Sequence, residues 1–292
     1  MGRGPSKEPD MRRLLIPAAI ALLALSGATA AAQTLPTDKH APPHLLKYWR
    51  SHGPGSTLGI DASETAPGAY PAAPAMFVHG VYGGKLPAPQ ADLLRRRLDV
   101  VFKALMSQPS LADIHGASLD VAINISRAQT EEEGVLPVTA NLTFRAKRIL
   151  KDDPKTIQKN GRYVTPWLEG AVLEVMLNPY DFIARRSVVA AAPPQGRLQA
   201  LNAGTTMALF VSDKPQPAEF DSHALARALA HDSSWLGGPG NRPILVRVSG
   251  ARHENLAAWD KRTPTTEPLG RLIAAVYMTD WEKVQRDVAA VR

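Results

Sequence analysis

The chain has 292 residues, with 34 lysines and arginines against 27 acids, a formal net charge of +7 and no cysteine. That length allows one large domain or two modest ones. The missing cysteines exclude disulfides, thiol catalysis, thiolate metal sites and a cysteine-linked lipid anchor. The charge excess is too small to argue for nucleic acid, and no nucleic-acid motif accompanies it.

Residues 1–32 read as a signal peptide with an upstream extension. Met11, Arg12 and Arg13 are a positive n-region, and Leu14 to Leu25 an apolar h-region. Ala28-Thr29-Ala30 and Ala30-Ala31-Ala32 are A-x-A sites that place cleavage near residues 30–32. The apolar run is about a dozen residues where a spanning helix needs about twenty, so no transmembrane span is expected in the mature chain. Arg12-Arg13 leaves both the general secretory and the twin-arginine routes open. A disulfide-free exported chain fits a bacterial periplasm or exterior. Removing Arg3, Lys7, Arg12 and Arg13 with Glu8 and Asp10 leaves about +5, an excess that suits an anionic envelope surface.

Residues 33–89 are broken by Pro42, Pro43, Pro54, Pro67, Pro71, Pro74, Pro87 and Pro89. Proline removes backbone donors and restricts its predecessor, so an extended arm or linker is expected there. Within it, His44 to Arg50 predicts one helical turn, and Ala75 to Tyr82 a short strand along a sheet edge. A helix follows over Ala91–Ser107. Its Leu94, Leu98, Val101, Phe102 and Leu105 share an arc of roughly 100°, with Arg96, Asp99 and Lys103 opposite.

Next come two alternating runs. Leu119, Val121, Ile123 and Ile125 alternate with Asp120, Ala122, Asn124 and Ser126; Val138, Ala140, Leu142 and Phe144 alternate with Thr139, Asn141, Thr143 and Arg145. Period two with a charged Glu131-Glu132-Glu133-Gly134 connection predicts an antiparallel hairpin. Lys151 to Pro166 reads as a polar excursion. Strands are expected at Ala171–Leu177, Phe182–Ala190, Thr205–Val211 and Ile244–Val248. Asp221–Ala230 predicts a helix capped by Asp221 or Ser222, and Trp235–Gly240 a loop. Leu269–Met278 fits helix or strand. Thr279-Asp280-Trp281-Glu282 reads as a capping box that opens a last helix through Val291.

Together these predict an α+β fold: a long amphipathic helix on a mostly antiparallel, curved sheet, with further C-terminal helices. Residues 90–292 form a single domain in this reading, with a subdivision near 191–220 left open.

The catalytic patterns are mostly broken. There is no G-x-S-x-G elbow. His253-Glu254-Asn255-Leu256-Ala257 opens like a zinc motif but has Ala257 where the second histidine should stand. Gly80 to Leu86 misses two positions of a phosphate loop. His40, His44 and His52 sit in the arm, and His223 and His231 are roughly 12 Å apart along one helix, too far to share an ion. No metal and no cofactor are expected. Among paired carboxylates, Glu169 and Glu174 are the best placed, since Glu174 lies between Leu173 and Val175 and burial would raise its pKa into a working range.

The least ordinary polar feature is a basic run. Arg145, Lys147, Arg148, Lys151, Lys155, Lys159 and Arg162 face only Asp152 and Asp153, with Tyr163 and Trp167 following. Arg145, Lys147, Lys151, Lys155, Lys159 and Arg162 are therefore candidate ligand-binding residues toward a lipid headgroup or cell-wall polymer. The expectation is an exported envelope protein acting as a non-enzymatic binding or scaffolding module. A hydrolase with a carboxylate site around Glu174 is the alternative, so whether the chain is an enzyme stays open.

Overall fold

In the computed structural model the described residues are 43–59, 61–79, 86–130, 134–166, 169–203, 206–230, 232–238, 240–250 and 264–292. In chain order, the first half builds α1 (Pro43–Ser51), β1 (Ala75–Val78), α2 (Ala88–Met106), β2 (Ala117–Thr130), β3 (Gly134–Arg148), β4 (Ile157–Lys159) and β5 (Arg162–Val164). The second half builds β6 (Ala171–Leu177), α3 (Tyr180–Ala184), β7 (Val188–Ala190), β8 (Leu198–Ala203) and β9 (Thr206–Val211). It closes with α4 (Ser222–Ala230), β10 (Ile244–Ser249), α5 (Pro268–Met278) and α6 (Trp281–Ala290).

Eight strands form one sheet in the order β1-β2-β3-β6-β10-β9-β8-β7, and β4 pairs with β5 in a separate hairpin. Only β1, on β2, is parallel to its neighbour in the sheet; the other pairs are antiparallel. The architecture is mixed α+β with a large, mostly antiparallel sheet and several helices. The period-two pattern sets the register: Ile123 lies opposite Leu142 and Asn124 opposite Asn141.

The two faces of the sheet bury different partners. On one, Ile123, Leu142, Leu173, Val175 and Val246 pack with Leu98 and Val101 of α2, Leu272 and Ile273 of α5, and Val284 and Val288 of α6. On the other, Tyr180, Phe182 and Ile183 of α3 and Leu229 of α4 cover Met176, Leu201, Phe210 and Leu245. Toward β2 and β3 this second face turns polar, with Asp120, Thr143 and Arg145 beside Glu174 of β6 and Arg247 of β10.

At four places the structure departs from the sequence-based expectations or adds to them. The first concerns the loose arm, which packs onto the fold at α1 and around residues 66–68 while β1 stays exposed. Leu45, Leu46 and Trp49 of α1 are buried, and the Trp49 indole donates to the Thr265 carbonyl at 3.0 Å. Its prolines interrupt regular structure, yet neighbouring backbone finds partners across the fold. Gly68 N–H donates to the Ile114 carbonyl at 2.8 Å and Tyr163 N–H to the Pro67 carbonyl at 2.8 Å. A β-carbon on Gly68 would meet the Ala117 carbonyl oxygen at 1.6 Å, so only glycine fits.

The second is the strand expected at Phe182–Ala190, which splits into the helix α3 and the short strand β7 because Tyr180 and Ile183, three apart, both turn onto the second core. Third, the stretch near 191–220, where a subdivision was left open, contributes β8 and β9 as internal strands of the eight-stranded sheet. Fourth, the cap of α6 is Asp280, whose carboxylate accepts from Lys283 N–H at 2.9 Å, while the Thr279 hydroxyl donates back to the Ala275 carbonyl at 2.8 Å. Elsewhere the ambiguous 269–278 stretch is helix, the 151–166 excursion contains β4 and β5, and Trp235 is buried in a 3-10 turn over Ser234–Leu236.

Candidate functional site

The basic run does not stay together as a patch. Strand alternation sends Lys147 to the second face, where it is 4% exposed and its ammonium sits 2.5 Å from Asp120. Arg145 lies opposite Asp120 across the β2–β3 pair. Arg148 reaches Glu267 at 3.5 Å. Arg162 bonds the Asp113 carboxylate and the Gly68 carbonyl, and its guanidinium lies 4.7 Å from the Tyr70 ring centroid. The hydrogen bond from Arg162 is the main cause that holds the Asp113 carboxyl below the usual carboxylate value. Three acids from outside the run thus meet three of its seven cations.

What remains outward is the excursion between β3 and β5. Lys151, Lys155 and Lys159 are exposed there. Lys151 sits 5.5 Å from the Tyr163 ring centroid. Two large aliphatic side chains stand among them in water, Leu150 at 44% and Ile157 at 57% exposure. Lysines and two exposed aliphatics thus share this short segment. Trp167 lies outside the described residues.

Glu174 occupies a second location. Arg247 stands opposite it on β10 and forms an ion pair with its carboxylate. The two sit at the floor of a groove of about 510 Å³ between α3 and the polar part of the sheet. Ser126, Thr139 and Asn141 contribute from β2 and β3, and Asp181, Arg185 and Arg186 from α3. Asp181 and Arg185 approach to 3.3 Å. The Arg186 and Arg247 guanidinium carbons lie 5.3 and 5.6 Å from the Phe182 ring centroid. Glu169 is exposed just before β6 and does not line this groove. Each acid of the groove is therefore met by an arginine, whereas acid–base chemistry needs two titratable groups facing one reacting atom.

Among the described residues no three histidine or acidic side chains gather as metal ligands. His52 stacks on Tyr48 with ring centroids 3.8 Å apart. His231, the His253-Glu254 pair, Gly80 to Lys85 and residues 1–32 lie outside the described residues. Among the described residues no helix is long and apolar enough to cross a membrane.

Sequence reasoning missed two buried arginines. Arg271 is fully buried and donates to the carbonyls of Thr266, Ser110 and Ser56 at 2.7, 3.1 and 3.0 Å. Burial pulls its pKa down to about 10. Arg97 is 2% exposed on α2. For Arg97 a signal was present: it lies three residues after Leu94 and four before Val101, inside the apolar arc. No protein-family model, curated protein or solved structure matches the chain.

Proposed function

We propose that the chain is an exported envelope protein that works by binding, with an anionic component of the cell envelope as its partner. The excursion after β3 supports this most directly, because it sets Leu150 and Ile157 in water among Lys151, Lys155 and Lys159. The signal-peptide pattern of residues 11–32 supplies the address. A long amphipathic helix over a curved sheet is the rigid scaffold in this reading. Three lysines near an anionic lipid surface contribute at most about 3 kcal/mol. Asp152 and Asp153 reduce that, while partial burial of two aliphatic side chains returns about 1–2 kcal/mol. Such a total, below about 4 kcal/mol once the two acids are counted, corresponds to weak, reversible binding in the millimolar range or above.

A hydrolase around Glu174 and Glu169 is the competing reading. It draws less support, because Arg247 holds the Glu174 carboxylate and Glu169 stands outside the groove.

The test is co-sedimentation of the purified chain with anionic vesicles, zwitterionic vesicles and isolated cell wall, at low and high salt. The combined Lys151→Gln, Lys155→Gln and Lys159→Gln variant should lose pelleting on anionic vesicles and keep its melting temperature, since these side chains lie outside the core. Equal sedimentation of wild type and variant would reduce the lysines to a solubilising surface.

A further inference from the structure

A groove of about 720 Å³ on the opposite side of the sheet from α3 is lined by Arg97, Arg197, Arg242, Arg286 and Arg292, with Asp213 the acid among its lining residues. Its side chains carry a net charge of +4. The arginines come from α2, the turn before β8, the residues before β10, α6 and the residues after α6, so only the fold brings them together.

Their hydrogen bonds go to carbonyls. Arg97 donates to the Trp235 carbonyl and, from Nε and Nη2, to the Val291 carbonyl at 3.2 and 2.9 Å. Arg242 donates to the Ser234 carbonyl at 3.3 Å and to the Ala289 carbonyl at 3.1 Å. Arg286 has Glu282 at 3.9 Å, a distant contact. Among the described residues Arg97, Arg197 and Arg242 have no carboxylate within salt-bridge distance. Asp213 is not paired with any of them either, and its Oδ1 is buried without a hydrogen-bond partner.

Carbonyls satisfy N–H donors and leave the charge uncompensated. The C-terminal end of α6, where Arg97 and Arg242 dock, supplies about half a negative charge through its aligned peptides. That offsets a small part of the surplus. Burial first, and then the neighbouring charges of Arg242 and Arg96, pull the Arg97 pKa down to about 10. Arg97 and Arg242 thus line one groove whose lining side chains include a single acid, Asp213.

We infer that this groove binds a small, multiply charged phosphate-bearing anion. Guanidinium groups offer planar paired donors that match phosphate oxygens. The volume admits a ligand of small-molecule size, and the net charge calls for more than one negative charge. Arg97 and Arg242, fixed by α6 carbonyls, form the rigid back wall. Arg197 and Arg286, which line the same groove, are the further guanidinium groups that would contact the ligand. The site is independent of the lysine-bearing excursion and stands whether or not that surface binds an envelope component.

The experiment is calorimetric titration of the full exported chain with tripolyphosphate, with citrate as the carboxylate comparison, alongside melting curves. Tripolyphosphate is expected to bind saturably at one site, to raise the melting temperature, and to bind more tightly than citrate. Arg197→Gln with Arg286→Gln should weaken it roughly a hundredfold, about tenfold per guanidinium, with the ligand-free melting temperature nearly unchanged. Lys151→Gln, Lys155→Gln and Lys159→Gln together remove more charge and should leave the affinity within about twofold. Non-saturating titration, equal binding by the arginine variant, or equal loss in the lysine variant would overturn the site. Citrate binding as tightly as tripolyphosphate would overturn the phosphate assignment.

Discussion

Replacing Arg271 by methionine tests how the Pro-rich N-terminal stretch is held on the fold. The guanidinium ties three segments together through the carbonyls of Ser56, Ser110 and Thr266, and its carbon lies 4.9 Å from the Trp49 ring centroid. Methionine keeps most of the stem and removes all three donors. Each buried carbonyl left without a partner costs about 1–3 kcal/mol, and the loss is largest at fully buried Ser110. Against this stands relief of the buried charge. Burial lowers the Arg271 pKa from its ordinary value to about 10, so the charged form costs about 3 kcal/mol in the fold.

The carbonyl losses sum to roughly 3–9 kcal/mol, so a net destabilisation of about 3 kcal/mol is expected. For a domain of this size that lowers the melting temperature by about 6–12 °C. Differential scanning calorimetry of Arg271→Met beside the exposed control Arg50→Met reads it, and the control should shift stability by less than about 0.5 kcal/mol. Limited proteolysis at neutral pH should also cut the variant first within residues 43–59. If Arg271→Met melts within a degree or two of wild type, the three-carbonyl anchor is not what holds this stretch.

Other outcomes follow from single contacts. Ile123 is 1% exposed, so Ile123→Asp buries an unpaired charge and should unfold the domain, while Asn124→Asp, on the polar face, should change stability by under about 1 kcal/mol; equal thermal shifts would mean the β2–β3 register is wrong. Asp113 has a lowered pKa in the fold through Arg162, so its contribution is complete above the ordinary carboxylate value and fades as pH falls through the lowered one. The melting-temperature gap between wild type and Asp113→Asn should be widest near neutrality and close in acid; a gap independent of pH would remove the ion pair from the account. Intact-mass measurement of exported material should show a chain beginning at or just after Ala31, and a mass that retains Leu14 to Leu25 would end the signal-peptide reading.

The parts of the fold that were legible are those where one face is wet. β2 and β3 alternate because Ile123 and Leu142 face the core while Asn124 and Asn141 do not. β8 was missed for the opposite reason. Its Leu198, Gln199, Ala200 and Leu201 are all buried, so no alternation exists to read, and Gln199 is accommodated by donating to the carbonyls of Ala192 and Ala200 at 2.7 and 2.9 Å. α5 was ambiguous because it is buried from Pro268 through Tyr277, which erases the 3.6-residue stripe.

Site residues were harder still, because charge partners lie far apart in sequence. Lys147, Arg148 and Arg162 look like one surplus until Asp120, Glu267 and Asp113 arrive beside them. The arginine groove left no local trace, since Arg97, Arg197, Arg242 and Arg286 are each more than forty residues from the next. Arg97 on the apolar arc of its helix was the one visible departure from pattern.

The most direct test of the binding account is the salt dependence of vesicle partitioning by wild-type chain, measured on anionic membranes from about 0.05 to 0.5 M salt. Exposed lysines act only within a Debye length, about 8 Å at physiological ionic strength, so partitioning should fall steeply over this range. It should drop further at every salt when Leu150→Ser and Ile157→Ser remove the two exposed aliphatics. Partitioning that is flat in salt, or equal on anionic and zwitterionic membranes, would contradict the account.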